Sequence, residues 1–308
     1  MRERLVAIAC DREASLGDVL PRLGEGADSA LAEGRVFIGA RRAMRFTDVV
    51  HAGEEVRVYP PRQAGAESAS ILAEQGGIVA AYKPAEMATI ADHRGARGTL
   101  ADEVERLLGG RERNLTPTSR LDVGVSGVVL FARDEAARRA LVRAREEGRY
   151  LRHYVALAEK APLPEHGVWS APIGRDRDPR RRRVGGRGAV DATTAFATVE
   201  KAPRAALLAV EPGTGRTHQI RVHAAHARSP LLGDAVYGGP VRIVSATGAV
   251  RAITRIALHA AWVEVSLGAR QTLRVDAPVP AELALLWTAS GGEPSAWGAA
   301  LALLRETG

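Results

Sequence analysis

Apolar positions in the first part of the chain follow a helical and then an alternating rhythm. Leu16, Val19 and Leu20 stand at helical spacing behind Ser15 and Asp18, a capping-box-like start in which Asp replaces the usual Glu. Asp28 is placed to cap a second short helix ending at Gly34. Val36 and Ile38 alternate as a strand up to Gly39, and Gly53 turns the chain into Val56 and Val58, another strand. Residues 1–62 are therefore predicted to form a small α/β module of helix, helix, strand and strand. Residues 63–70 are small and polar and are predicted to be a linker.

From Ile71 onward the pattern changes to short β-type runs punctuated by Gly and Pro. They lie at 77–82, 127–132, 154–158, 195–200, 205–212 and 259–267, with helical segments expected at 98–108 and 134–147. The strands do not alternate regularly with helices. That order predicts an α+β domain over 71–308, built on a mixed, largely antiparallel sheet rather than a doubly wound one. The stretch 174–188, GRDRDPRRRRVGGRG, is expected to be a basic loop.

The composition fits this division. At ~150 residues per domain, 308 residues suggest about two domains, and an apolar fraction of 46% excludes disorder. No apolar run reaches the ~18 residues of a membrane-spanning helix. The opening MRERLVAIACDREAS is broken by Asp11 and Arg12, unlike a secretory signal, and a cytoplasmic monomer is expected. The single cysteine, Cys10, excludes a disulfide framework and a cysteine-based zinc site. A net charge of +7 favours a polyanionic partner, nucleic acid first. Only Lys83, Lys160 and Lys201 are lysines, so part of the arginine excess is compositional. Arg35, Arg41, Arg42, Arg45 and Arg57 nevertheless concentrate charge on the N-terminal module.

Three segments carry candidate chemistry. In 119–134 a lone acid, Asp122, stands two residues after Arg120 and just ahead of a glycine-bearing turn and an apolar strand. A carboxylate in that place is held rigidly and partly desolvated, as a nucleophile or general base must be. On spacing alone an Asp before a turn more often stabilises the turn. In 210–239 a Gly213/Gly215 turn precedes Thr217, His218, Gln219 and Arg221. An arginine is the right partner for a buried carboxylate, because it stays charged and binds through a planar fork. His218, His223 and His226 do not have the spacing of a metal site. In 151–160, Tyr154 opens a strand, and its phenol can stack on a base or hydrogen-bond to it.

Taken together these segments resemble the RluA family of RNA pseudouridine synthases. Arg120-Leu121-Asp122 with Ser126-Gly127 resembles the family's central pattern, and Tyr154-Val155-Ala156-Leu157 its tyrosine strand. Its long Gly-Arg-Thr-His-Gln-Ile-Arg-Val-His run is matched without a gap at Gly215–His223. Leu231–Asp234, Tyr237–Gly239, Lys83-Pro84 and Leu258–Ala260 match further runs, so that the likeness spans about 71 to 288. The resemblance implies the pseudouridine synthase fold and the isomerisation of uridine in RNA, by family habit large-subunit rRNA, with neither cofactor nor metal. The uridine must be flipped out of its stack. Asp122 would be the catalytic carboxylate, attacking the sugar or abstracting one of its protons. Arg221 would keep it ionised and oriented, and Tyr154 is a candidate base for the C5 proton. Arg120, Arg216, His218, Gln219 and Lys83 are the implied substrate-binding residues. The module at 1–62 looks like an S4-type RNA-binding domain. The sequence departs from the family at Ser119, where a His is usual, at Val123-Gly124-Val125, where Arg-Asp-Thr is usual, and at Glu86, where a Gly is usual. The alternative is a catalytically inactive RNA-binding relative acting in ribosome assembly. Retention of Asp122, Tyr154 and Arg221 favours the enzyme.

Overall fold

The computed structural model describes residues 6–23, 30–31, 36–39, 41–43, 45–58, 67–91, 98–110, 115–244, 248–268 and 271–306. The chain divides into two compact units, Met1–Glu67 with Ile90–Arg113, and Ser68–Thr89 with Asn114–Gly308.

In the first unit Ser15 caps a short helix, Leu16–Val19, by accepting a hydrogen bond from the Asp18 backbone N–H. The predicted strands appear as Val36–Ile38 and Glu55–Val58. They belong to a four-stranded sheet completed by Val6–Ala9 and Arg41–Arg42, neither of which the alternation rule predicts. Val6–Ala9 is apolar throughout and shows no period of two. Leu16, Val19, Leu20, Val36, Ile38, Val50 and Val56 form the core of this unit. The cap expected at Asp28, the helix end expected at Gly34 and most of the expected linker lie outside the described residues. The helix expected at 98–108 is present as Leu100–Leu107, with a reciprocal capping box between Thr99 and Asp102.

The second unit is organised by one large mixed sheet. Its strands are β1 (Ser70–Gln75), β2 (Ile78–Lys83), β3 (Ser126–Ala132), β4 (Tyr150–Ala158), β5 (His166–Ser170), β9 (Thr193–Ala202), β10 (Ala205–Pro212), β11 (Leu258–Gly268) and β12 (Gln271–Asp276). The order is β5-β9-β10-β4-β11-β3-β2-β1, with β12 paired to β11. Every named joint is antiparallel except β3 with β11, which run parallel through Ser126↔His259 and Gly127↔Ala260. Gly127 is required at that seam. Its φ is +124°, and a Cβ there would lie 2.2 Å from the Ala260 carbonyl oxygen. The sheet packs against helix α1 (Glu135–Glu146), which starts at an Asp134 cap and buries Ala137, Leu141 and Ala144. Two C-terminal helices, α3 (Ala281–Ala289) and α4 (Ala296–Glu306), cover Val155, Leu157, Leu207 and Ala209 with Leu283, Trp287 and Trp297. These helices were not anticipated from the sequence. Helix α2 (Gln219–His226) lies between α1 and these two helices in the chain.

The basic stretch 174–188 is not a loop. It belongs to a three-stranded antiparallel sheet formed by β6 (Ile173–Arg175), β7 (Arg182–Val184) and β8 (Arg187–Val190), with β6 in the middle. Exposed arginines hide the alternation, whose apolar members are only Ile173 and Val184. Glycine permits the tight packing, since a Cβ on Gly174 would lie 2.3 Å from the Gly186 carbonyl oxygen.

Two fully buried histidines make the second unit sensitive to acid. Burial, reinforced by the Arg274 charge, holds His153 at about 4. Burial, reinforced by Arg255, holds His259 at about 3. Both are neutral in the fold and take a proton near ~6.5 once unfolded. Their neutral forms therefore contribute full stability above ~6.5, and that contribution is lost progressively as the pH falls toward ~4. The urea midpoint should fall between pH 7 and pH 4.5, and it should fall less for His153→Leu. An equal fall in both proteins would exclude His153 as a cause.

Candidate active site

Asp122 sits in the turn that leads into β3, and the fold holds that turn from several sides. Thr89, buried, accepts from the Leu121 N–H and donates to the Leu121 carbonyl, both at 3.1 Å. The Val125 N–H closes the turn on the Asp122 carbonyl at 3.0 Å. Lys83 donates to the Val123 carbonyl at 3.3 Å, and to those of Pro84 and Met87 at 2.9 and 2.6 Å. Gly124 completes the turn by lying close to Ile256, which a Cβ would approach to 3.1 Å. The Asp122 carboxylate remains part-exposed, its side chain 28% accessible.

Arg221 approaches it from α2. Its Nη1 donates to Asp122 Oδ2 at 2.8 Å. Its Nε and Nη2 bind both oxygens of Asp234, at 2.7 and 2.8 Å. Asp234 is 1% exposed and Arg221 is 4% exposed, so this is a buried fork held between two carboxylates. Burial alone would lower the Arg221 pKa, but the hydrogen bonds and charge of Asp234, with Asp122 behind it, raise it instead. His218, the residue before α2, has left-handed backbone angles of φ 58° and ψ 19°. Its Nε2 lies 3.8 Å from Asp122 Oδ2 and its Nδ1 is 2.8 Å from Tyr237 Oη.

The expected site residues separate into four groups. Asp122, Arg221 and His218 are brought together. Tyr154 is buried on β4, opposite Ala260 and Val210. Burial raises its pKa, and the Asp122 charge adds to that while Arg152 opposes it. The phenol of Tyr154 is thus kept neutral by burial. Arg120 and Arg216 are exposed, and Arg216 also donates to the Asp191 carbonyl at 3.0 Å.

Lys83 and Gln219, expected at the substrate, work inside the fold instead. Lys83 is completely buried, and its ammonium is aimed at the three backbone carbonyls. Burial and the Arg255 charge push it down to about 7, against the pull of Asp122. Gln219 donates to the Thr193 carbonyl and to Thr194 Oγ1 at 2.8 and 2.9 Å. Its carbonyl oxygen accepts from Thr214 and from the Arg216 N–H. An amide with this many protein partners is a clamp between strand and helix. His223 is likewise engaged, with Thr194 Oγ1 and the Ala171 carbonyl at 2.8 and 2.9 Å. Among the described residues no cluster of three or more His, Cys, Asp or Glu side chains is placed to hold a metal ion.

The sequence reasoning assigned no role to Asp234, Tyr237 or Thr89. A signal for Asp234 did exist. A buried arginine has more donors than a single carboxylate on one edge can satisfy, so a second acceptor was needed, and the nearby acid of 231–234 was one candidate.

Asp234→Ala should therefore cost about 3–5 kcal/mol, because it leaves the Arg221 charge buried without its main partner. Arg221→Lys keeps the charge but cannot span both carboxylates, and it should also destabilise the protein. Urea unfolding of the three proteins checks this. A loss under about 1 kcal/mol for Asp234→Ala, the level of an exposed pair, would show that the fork contributes little.

The RNA pseudouridylate synthase family matches residues 77–226. The chain is 36% identical over 219 residues to the uncharacterized RNA pseudouridine synthase YhcT of Bacillus subtilis, covering 69% of each chain. It is 33% identical over 268 residues to the ribosomal large subunit pseudouridine synthase D of Xanthomonas campestris, covering 80% of this chain and 78% of the relative. Among solved structures, human RNA pseudouridylate synthase domain containing 1 superposes with a TM-score of 0.57 at 22% identity, covering 71% of this chain and 87% of that one. Human RNA pseudouridylate synthase domain containing 4 gives 0.56 at 20% identity, covering 72% and 92%. The two human structures share the fold, and the two bacterial relatives place the sequence: the chain belongs to the RluA-type family of RNA pseudouridine synthases, isomerases that convert uridine in RNA to pseudouridine.

Proposed function

We propose that the chain isomerises specific uridines of large-subunit rRNA, with Asp122 as the catalytic carboxylate. One observation carries the assignment of Asp122. It is a part-exposed acid on a turn fixed from several sides, with a buried arginine on one of its oxygens at 2.8 Å. The rRNA target is supported by relatives named ribosomal large subunit pseudouridine synthase D.

The reaction breaks the N1–C1′ bond and forms a C5–C1′ bond. N1 ends with a proton and C5 loses one, so atoms balance without a co-reactant. The uridine is first extruded from its stack, and exposed Arg120, beside the site, is placed to meet the RNA it leaves. Asp122 then attacks C1′ or takes a proton from the sugar. Arg221 fixes the carboxylate, and Tyr154 packs against the base as it turns. The β6–β8 sheet presents Arg175, Arg177, Arg180, Arg181, Arg183 and Arg187 at the surface, which suits a phosphate backbone.

Asp122→Asn should fold and bind RNA as wild type does, but its isomerisation rate should fall to ~1% or less, the scale of loss when a reacting group is removed. The measurement is pseudouridine mapping in rRNA from a deletion strain complemented with either form. Sites restored by the variant would show that Asp122 is not the catalyst. Sites restored by neither, with RNA binding intact in both, would favour the non-catalytic relative.

The first unit is proposed to be an S4-type RNA-binding module, on the strength of its small α/β core and its arginines. It contains none of the proposed catalytic residues. Replacing Arg41, Arg42 and Arg45 together with Gln should weaken RNA binding and reduce the slope of log K against log salt by about 2–3, near one unit per lost phosphate contact. Turnover at saturating RNA should be unchanged. An unaltered slope would remove this reading.

A further inference from the structure

Two donors converge on a single oxygen of Asp122. Arg221 Nη1 is at 2.8 Å from Oδ2, and His218 Nε2 is at 3.8 Å from the same atom. The second distance is too long for a hydrogen bond, yet within electrostatic reach. Oδ1 has no hydrogen bond among the described residues. Both donors are held by one short segment of chain. Asp234 binds the other edge of Arg221, and the turn Ala235–Tyr237 that follows it brings Tyr237 to His218. The Tyr237 ring also lies 4.9 Å from the Arg221 guanidinium carbon and meets the His218 ring edge-on, at 5.7 Å and 82°.

The direction of the hydrogen bond between Tyr237 and His218 follows from the third group present. The Arg182 backbone N–H on β7 donates to Tyr237 Oη at 2.8 Å. The phenol oxygen is then an acceptor on that side, and its own proton needs an acceptor. His218 Nδ1, at 2.8 Å, is placed to be one. The opposite arrangement, with Nδ1–H donating to the phenol, would leave the phenolic proton of a buried tyrosine without an acceptor among the described residues. Nδ1 is therefore the bare nitrogen, and the ring proton is on Nε2, facing Asp122. His218 itself has a left-handed backbone, a conformation unfavourable for a non-glycine residue.

We propose that Tyr237 is a positioning residue for the isomerisation. It holds His218 as the Nε2–H tautomer, so that His218 and Arg221 together restrain Oδ2 of Asp122 and leave Oδ1 as the oxygen that meets the sugar. The backbone of β7 anchors this arrangement, and the arginine-bearing sheet is thereby linked to His218 through two hydrogen bonds, with the His218 ring 3.8 Å from the Asp122 carboxylate. The inference rests on the catalytic reading of Asp122.

The test combines a spectroscopic and a kinetic readout on the full chain. In ¹⁵N-histidine spectra of wild type, His218 should show a proton-free Nδ1 and a protonated Nε2. Tyr237→Phe should lose that preference. Its turnover should fall about tenfold to a hundredfold, the range for a misaligned reacting group, with KM for RNA within about twofold. The acid limb of its kcat profile should also move to higher pH. Burial lowers the His218 pKa, with Arg221 and Arg182 adding to this and Asp122 and Asp234 opposing it. The phenol O–H, by donating to Nδ1, further favours the neutral ring, and its removal lets the ring take a proton more readily. His218→Gln keeps an N–H where Nε2 was and should retain more turnover than His218→Leu, while both carry the same backbone strain. A wild-type His218 protonated on Nδ1 overturns the proposal, and so does a Tyr237→Phe enzyme with wild-type turnover and an unmoved acid limb. If wild type itself isomerises no uridine, the reading of Asp122 fails, and the nitrogen spectra still decide which tautomer Tyr237 holds.

Discussion

The site depends on a single guanidinium that has to be buried. Arg221 lies on a helix whose first six residues are all buried, and no solvent is available to share its charge. The penalty for such burial is offset only when the donors on several edges meet acceptors. Asp234 satisfies two of them and Asp122 a third. This division of labour matters for chemistry. Asp234, 1% exposed, takes the bidentate bond and holds the arginine in place. Asp122, part-exposed, receives only one contact from it and keeps the rest of its carboxylate available. With a single acid, the arginine would have to choose between being buried well and leaving that acid free to react.

The backbone around Asp122 follows the same logic. Under the catalytic role proposed for it, the carboxylate gains little if its turn can drift, since small misplacements are costly in rate. Here the turn is held at Leu121 by Thr89, at Val123 by Lys83 and at Asp122 itself by Val125. Lys83 lies on β2 and Asp122 just ahead of β3, so the antiparallel pairing of Lys83 with Gly127 delivers the ammonium to the turn. Gly127 in turn allows β3 to lie against β11 in the one parallel joint of the sheet. The glycine after Ser126 is thus a condition for the geometry around Asp122, although it does not touch the carboxylate.

What the sequence revealed follows from these physical demands. The strands at β2, β3, β4 and β10 were legible because both faces are buried, and near-continuous apolar runs mark such strands. Asp122 and Arg221 were legible through their motifs. The sheet β6–β8 was not, because most of its residues are arginine or glycine and a two-residue period cannot show without apolar members. Helix α2 was hard to read for the opposite reason. Gln219, Arg221 and His223 are buried polar residues, so no apolar stripe distinguishes an inner face. Lys83 and Gln219 show the limit most clearly. Residue type suggested a phosphate or a base as their partner, whereas burial and the count of satisfied donors assign them to the fold. That count depends on residues distant in the chain, which a linear motif does not display.

Two of the departures from the family pattern, Val123 and Glu86, are exposed. Val123 is 54% exposed, and only its backbone carbonyl is tied down, by Lys83. Glu86 is exposed and has a φ of 63°, a conformation glycine adopts freely and glutamate at a cost of about 1 kcal/mol. Neither residue belongs to the fork of Asp122, Arg221 and Asp234. A glycine is the family's usual residue at the position of Glu86, and the backbone angle explains why. The glutamate keeps the same turn under strain and adds an exposed negative charge to the loop whose Pro84 and Met87 carbonyls bind Lys83. A charge there cannot move the buried fork, but it does change what an approaching polyanion meets. These two exposed departures are therefore separable from the fork that holds the Asp122 carboxylate. Val125 and Gly124 are not on that exposed edge, since Val125 is buried with its N–H on the Asp122 carbonyl and Gly124 packs close to Ile256 in the same turn.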